Sequence, residues 1–353
     1  MSQARLLALG ASLPGTGYTQ GEIYDGFLKP YLGSRSHVRA IFEHTGIACR
    51  HTVVDGSYYR QTRGTQERNE KYLEQAVPLG ALAIRNCLKK AGRSPQDIDD
   101  FVVVSCTGID TPGLDLLLAK ALNMRPDLQR TCILGMGCYA AFPGLRKAAQ
   151  AVASSPGRLS LVLALELCSL HFQPQDTSLE NVVSSALFAD GAAAALLGEA
   201  ALEESARAPA PRWLDFETHC DYQTLGHMAF HLTDTGFHMH LSAYVPKVLE
   251  ADVQGLVDHL LHRNGLRREQ VRLWGVHPGS SKILDYIQNR LGLADEQMIC
   301  SRRVLHDCGN MSSPTILFVL DELQRQENPS PGDYGVLLAF GPGLTMESAL
   351  LQW

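Results

Sequence analysis

The chain has 353 residues, of which 45% are hydrophobic and 19% charged, so it can bury a core in one large or two medium domains and is too apolar to be disordered. Its 31 Lys+Arg against 37 Asp+Glu give a net charge of −6, the wrong sign for a general nucleic-acid binder. No apolar run approaches the roughly 20 residues that span a bilayer, and nine Cys without a secretory segment point to reduced thiols in a cytosolic protein.

Short apolar runs alternate with longer periodic stretches. Residues 6–9 form the first predicted strand, too short for the core of a signal peptide. A helix follows over 72–90, closing on Lys89-Lys90 with Gly92 beyond, the expected stop chemistry. Strands are predicted at 101–105 and 131–134, with a helix over 113–122 between them. A helix over 140–153 and strands at 159–166 and 192–197 come next. Beyond them lie helices over 246–263, 282–291 and 313–325, and strands at 272–276 and 335–339. Several strands are apolar on both faces, which suits a sheet between helix layers. The order helix, Gly-containing turn, polar lead-in and apolar strand occurs at 79–105 and again at 253–276. That echo predicts two duplicated α/β halves, with the polar, Ala/Pro-rich stretch 203–212 as the boundary.

Three polar residues stand in unusual settings. Cys138 sits in Leu134-Gly135-Met136-Gly137-Cys138-Tyr139-Ala140, where a strand, a glycine turn and a helix start follow one another. At a helix N-terminus the dipole and free N–H groups favour the thiolate, which makes a nucleophile. A buried inert thiol beside a tight turn is the competing reading. His277 leaves a strand on the Pro278-Gly279 turn. Such a loop displays functional groups, although most of the 13 histidines are expected to be structural. Asn310, in Cys308-Gly309-Asn310-Met311-Ser312-Ser313, reads either as a helix cap or as an amide donor to an oxyanion. The loop Gly341-Pro342-Gly343 fits neither a dinucleotide fingerprint nor a phosphate loop, and suits a close backbone approach. His227, His231, His238 and His240 lack the companions of a metal motif, so no metal is expected. No GxSxG elbow supports a serine hydrolase.

A Cys, a His and an Asn in that chain order, each on a Gly-containing loop, provide a nucleophile with two polar partners. With Cys106-Thr107-Gly108-Ile109-Asp110-Thr111-Pro112-Gly113, Ala186-Leu187-Phe188-Ala189-Asp190-Gly191-Ala192, Gly309-Asn310-Met311-Ser312-Ser313 and Phe340-Gly341-Pro342-Gly343-Leu344-Thr345, the chain resembles a type III polyketide synthase. This is the chalcone-synthase-like branch of the thiolase superfamily, and Cys106 resembles its bacterial members.

The resemblance implies a thiolase-like layered αβαβα fold. Its halves are 1–205, carrying Cys138, and 206–353, carrying His277 and Asn310. It implies a homodimer using acyl-CoA and malonyl-CoA, with no cofactor beyond these thioesters. Cys138 matches the acyl-accepting nucleophile, and His277 with Asn310 the pair that holds the thioester carbonyl and the malonyl-derived enolate. Phe188 matches a gatekeeper between the CoA tunnel and the cavity, and Met239 stands where a second gatekeeper phenylalanine is usual. Cys106, Cys168, His171, Phe230 and Ser312 match cavity-lining positions. Gly341, Pro342 and Gly343 match the loop beneath the cavity, and Arg50 falls where basic residues meet CoA phosphates. Phe230 in place of glycine, and Thr111 in place of a methionine that reaches the partner subunit, speak against a flavonoid product. Long acyl starters giving alkylpyrones or alkylresorcinols are expected, with malonyl-only chemistry, giving phloroglucinol or tetrahydroxynaphthalene, as the close alternative. Ketoacyl synthase III words its His and Asn regions differently. Hydroxymethylglutaryl-CoA synthase needs a catalytic Glu that the sequence does not place. A non-catalytic protein of this fold would not need Cys138, His277 and Asn310 together.

Overall fold

The computed structural model describes residues 4–33, 36–199, 210–242 and 245–353, so most of the predicted boundary at 203–212 lies outside the described residues. In chain order the strands are β1 (Arg5–Ser12), β2 (Gly17–Thr19), β3 (Cys49–His51), β4 (Asp100–Val104), β5 (Gln129–Ile133), β6 (Ser160–Leu167) and β7 (Asp190–Gly198). They continue as β8 (Arg212–Cys220), β9 (Met228–Thr233), β10 (Gly236–Leu241), β11 (Val271–Val276), β12 (Tyr334–Gly341) and β13 (Thr345–Gln352). Two single-turn helices, α1 (Gln20–Ile23) and α2 (Lys29–Leu32), precede α3 (Ser36–Glu43), α4 (Thr65–Ala91), α5 (Leu114–Ala121), α6 (Ala141–Ser154) and α7 (Leu179–Leu187). The second half carries α8 (Val245–Arg263), α9 (Ser281–Leu291), α10 (Asp295–Cys308) and α11 (Thr315–Gln326).

Nine strands form one sheet in the order β11-β12-β13-β8-β1-β7-β6-β4-β5. The order β4-β6-β7-β1 on one side is repeated as β11-β12-β13-β8 on the other. The pairing senses repeat as well: β4/β6 and β11/β12 are parallel, while β6/β7, β12/β13, β7/β1 and β13/β8 are antiparallel. The two runs meet where Arg5 of β1 pairs with Arg212 of β8. Only β5 lacks a counterpart among the described residues.

Three apolar clusters fill the spaces between layers. One packs α4 and α5 on the outer face of the first half-sheet, through Ala81, Ile84, Leu118, Leu163 and Leu165. The second packs α6 and α11 between the half-sheets, through Phe142, Leu145, Val162, Ile316, Leu320 and Leu337. The third packs α8 and α9 on the far face, through Val257, Leu284, Trp274 and Leu338. This is the layered αβαβα arrangement. Strands β4, β6 and β7 are buried on both faces, which explains their unbroken apolar runs. Each fully buried Leu or Val there contributes about 1.5–3 kcal/mol over exposure.

Differences from the sequence reading lie at element ends and in whole elements, some of them polar and some, like β13, buried nearly throughout. Helix α4 opens at Thr65 rather than at 72, because Glu67 accepts the Gly64 N–H at 3.1 Å and starts the helix within a polar stretch. Strands β2, β3, β8, β9, β10 and β13 and helices α1, α2, α3, α7 and α10 have no counterpart among the predicted elements. Strand β8, Arg-Trp-Leu-Asp-Phe-Glu-Thr-His-Cys, mixes acidic and apolar residues and is mostly half-buried. Helix α10 buries only a few of its residues, Met298, Cys300 and Val304 among them.

Candidate active site

Helices α6 and α11, the buried central pair, each carry chemistry near their N-termini. Strand β5 leads through Gly135 to Gly137, whose φ of +69° suits glycine, and Cys138 lies on the single 3₁₀ turn before α6. A Cβ on Gly137 would lie 2.7 Å from Pro342 Cδ. One on Gly341 would lie 2.7 Å from the Tyr139 ring and 3.3 Å from the Cys138 nitrogen. Gly341 and Pro342 therefore brace the nucleophile's turn from behind, and none of Gly341, Pro342 and Gly343 lines the cavities described below.

Asn310 sits before α11. Its backbone pairs with the segment leaving α7, Asn310 N–H to Leu187 O at 3.0 Å and Ala189 N–H to Asn310 O at 2.9 Å. Its Oδ1 accepts the Ser312 N–H at 2.8 Å, while Nδ2 donates to Gly279 O at 3.1 Å. One of the two amide hydrogens is left for a ligand. Ser312, at φ +60°, donates its hydroxyl to Cys138 Sγ at 3.4 Å. His277 follows β11, its N–H bonded to Leu338 O at 2.8 Å. Its ring is buried, and neither ring nitrogen has a partner among the described residues.

Cys138, His277 and Asn310 all line one cavity of about 660 Å³, within the usual size range for ligand pockets. Phe188 and Met239 line it too, and they also line a second pocket of about 30 Å³ with Cys106, Cys168, His171, Phe230 and Ser312. Phe188 meets Phe230 edge to face at 6.0 Å, and Phe230 is the cross-strand partner of Met239 in the β9–β10 hairpin. Every cavity residue named from sequence thus lies around one double chamber.

The family models for the N-terminal and C-terminal domains of chalcone and stilbene synthases match residues 1–201 and 220–353. The chain belongs to the chalcone and stilbene synthase family. It is 34% identical to a 3,5-dihydroxyphenylacetyl-CoA synthase of Streptomyces toyocaensis, over 99% of this chain and 90% of that protein. It is 32% identical to a 1,3,6,8-tetrahydroxynaphthalene synthase of Streptomyces peucetius subsp. caesius, over 98% of this chain and 92% of the relative. The crystal structure of PKS-I from the brown alga Ectocarpus siliculosus superposes with a TM-score of 0.91 at 30% identity, covering 99% of this chain and 98% of that one. The protein is therefore a type III polyketide synthase, an acyltransferase.

Two expectations about this synthase need correction. Burial pushes the Cys138 thiol up to about 11, opposed by the Ser312 hydrogen bond, so the helix-start position does not by itself yield a thiolate. Desolvation likewise pushes His277 down to about 3, so burial opposes the charged form of both groups. No described residue fixes the imidazole tautomer, so either nitrogen can accept a proton or donate a hydrogen bond. Second, Arg50 cannot present itself to CoA phosphates. It is fully buried and donates Nη1 to Ser185 O and Phe188 O, each at 2.7 Å.

The sequence reading missed Glu166, at the end of β6. Its carboxylate takes the Cys106 N–H at 3.0 Å, the Thr107 hydroxyl at 2.8 Å and the Ser313 hydroxyl at 2.7 Å. Burial raises its pKa, and its charge in turn raises that of Cys138. The available signal was one carboxylate in an otherwise apolar strand, which is costly unless fully hydrogen-bonded. No group of three or more His, Cys, Asp or Glu among the described residues could hold a metal ion. No helix among them is long and apolar enough to cross a membrane.

Proposed function

We propose that this synthase builds a short polyketide from malonyl-CoA on Cys138 and folds it in the large cavity, against Phe188 and Met239. The supporting observation is the double chamber: the three reactive residues share the large cavity, and the pocket beyond holds only about 30 Å³. In this reading neutral His277 removes the Cys138 proton as the sulfur attacks a CoA thioester, and CoA leaves. A second malonyl-CoA then loses carbon dioxide, and the electron pair of the broken C–C bond moves onto the thioester oxygen. His277 and the Asn310 amide, both buried, donate to that oxygen. The resulting carbanion attacks the carbonyl of the Cys138 thioester, the C–S bond breaks with the Cys138 sulfur leaving as thiolate, and the extended chain, now on CoA, is transferred back to Cys138 with release of CoA for the next round.

Of the two products left open by the sequence, the inner pocket favours the small one. It holds only about 30 Å³, which gives a long alkyl tail no channel beyond Phe188 and Met239. The names of the 3,5-dihydroxyphenylacetyl-CoA and 1,3,6,8-tetrahydroxynaphthalene synthases point the same way, to compact aromatic rings. CoA thioesters are the proposed substrates, with no added cofactor, in the cytoplasm. A homodimer is proposed through the β5 edge of the sheet, where Ile109, Leu116 and Leu134 are exposed. The test is product analysis with malonyl-CoA alone and with acetyl-, hexanoyl-, decanoyl- or palmitoyl-CoA added. Full turnover on malonyl-CoA alone supports the reading. Products that require a long acyl-CoA would overturn it in favour of alkylpyrones or alkylresorcinols.

A further inference from the structure

The buried Arg50 has no part in the chemistry described so far, yet it touches both sides of the site. From strand β3 its guanidinium reaches the C-terminal end of α7, where Nη1 donates to Ser185 O and Phe188 O at 2.7 Å each. The last carbonyls of a helix carry partial negative charge and lack helical partners, so a buried cation satisfies them well. Its aliphatic stem lies against Gly309, the neighbour of Asn310. A Cβ there would come within 2.7 Å of Arg50 Cγ and 3.0 Å of Cδ, and φ at Gly309 is +73°. The rings of Phe42 and Phe172 flank the guanidinium, with centroids 5.8 and 5.9 Å from Cζ. Asp190, two residues past Phe188, supports the charge. Its carboxylate takes the Val53 N–H at 2.7 Å and the Ser169 N–H at 2.8 Å, tying the chain beside Arg50 to the chain beside Phe188. Phe188 and Asn310 are themselves bridged as a parallel pair.

We propose that Arg50 is a positioning residue that holds the gate Phe188 and the amide of Asn310 in register, through two carbonyls at the α7 terminus and the packed stem at Gly309. The proposal rests on the roles assigned above to Phe188 and Asn310. Arg50 itself lines neither cavity, so its removal acts on the reaction through its neighbours, Phe188 and Asn310 first and the inner-pocket residue Phe172 beside them. Misplacing a reacting group by about 1 Å from a remote site costs up to about 10²-fold in rate.

The experiment compares Arg50→Met, Arg50→Lys, Asn310→Ala and the two double variants. It reads carbon dioxide release from malonyl-CoA, the ratio of short to long products, and iodoacetamide labelling of Cys138. Arg50→Met is expected to lower carbon dioxide release by about 10-fold to 10²-fold and to change the product ratio, while Cys138 labelling keeps the parent rate. Arg50→Lys keeps the charge and should recover part of the loss. In the Asn310→Ala background neither Arg50 variant should lower release further, because residues that act through one another are not additive. Additive losses, unchanged release, or a fall in Cys138 labelling parallel to the fall in release would overturn the proposal. If Arg50→Met does not fold, Arg50→Lys gives the same additivity test. If Asn310→Ala releases carbon dioxide undiminished, the site reading fails instead, and the product ratio of Arg50→Lys decides the Phe188 half alone.

Discussion

The two chambers differ in origin as much as in size. The outer cavity of about 660 Å³ draws Cys138 from the first half of the fold and His277 and Asn310 from the second, at the ends of the buried central helices and of β11. The inner pocket of about 30 Å³ is walled by the Cys168–His171 turn, the segment that follows it and the β9–β10 hairpin. Rigid elements hold the reacting groups, and a hairpin with half-buried side chains sets the shape beyond them. Bond making and product choice therefore depend largely on different residues, linked by Phe188, Met239, Ser312, whose hydroxyl donates to Cys138 Sγ, and the backbone around Asn310.

The outer chamber can be broken outright. Cys138→Ala should abolish acyl transfer to the protein, because no other thiol lines the large cavity. Mass spectrometry after incubation with malonyl-CoA or acetyl-CoA checks this, and a persisting adduct would move the nucleophile elsewhere. His277→Ala and Asn310→Ala should each lower carbon dioxide release by about 10²–10³-fold, the usual cost of one oxyanion donor. The His277 variant should lose more, since His277 also receives the Cys138 proton. Both losses should leave the ratio of products unchanged, which is the sharper test that chemistry and shape are separate.

The protonation states of the outer chamber make a second test. With Cys138 pushed up to about 11, iodoacetamide labelling should climb about tenfold per pH unit through neutral and mildly alkaline pH. A rate flat between about pH 6 and pH 9 would restore the thiolate expected from the helix start. His277, pushed down to about 3, stays neutral as pH falls, so decarboxylation should hold its rate down to about pH 5. The sign is that of a histidine buried in its neutral form. Stability is lost as pH falls from its ordinary value towards about 3, a window in which the unfolded ring carries a proton that folding must expel.

Cys138 and His277 were legible because strand, glycine turn and next element follow one another within a few residues, and local sequence fixes that geometry. Phe188, Met239 and the cavity residues were legible only as a set of matching motifs. They lie on five separate segments, counting the β9–β10 hairpin as one, that the fold brings together around one volume. Arg50 was misread because a charge taken alone suggests solvent. Its partners, the Ser185 and Phe188 carbonyls, are 135 and 138 residues away in sequence. Glu166 was passed over for the same reason, its partners being Cys106, Thr107 and Ser313. The thiol's pKa was mistaken because the helix-start effect can be read from sequence, whereas the burial that outweighs it cannot.

The smallest expected effect on rate, and the most telling for product, belongs to the inner chamber. Phe230 stands edge to face with Phe188 and opposite Met239. Phe230→Ala removes a ring from the wall of a pocket that holds about 30 Å³, so the room gained is large against the room present. Longer chains should then fold before release, and the ratio of long to short products should rise. Carbon dioxide release should stay near the parent rate, because Phe230 does not line the cavity that holds Cys138, His277 and Asn310. Met239→Phe works in the opposite sense. A flexible thioether yields to a passing chain, whereas a stiff ring does not, so products should shorten while decarboxylation again holds. Chromatography of products from malonyl-CoA alone reads both variants against the same carbon dioxide assay. If Phe230→Ala lowers release as far as it changes the products, the hairpin is part of the catalytic apparatus and the two chambers are one. If neither variant moves the product ratio, chain length is set in the outer cavity, by how long the thioester on Cys138 survives.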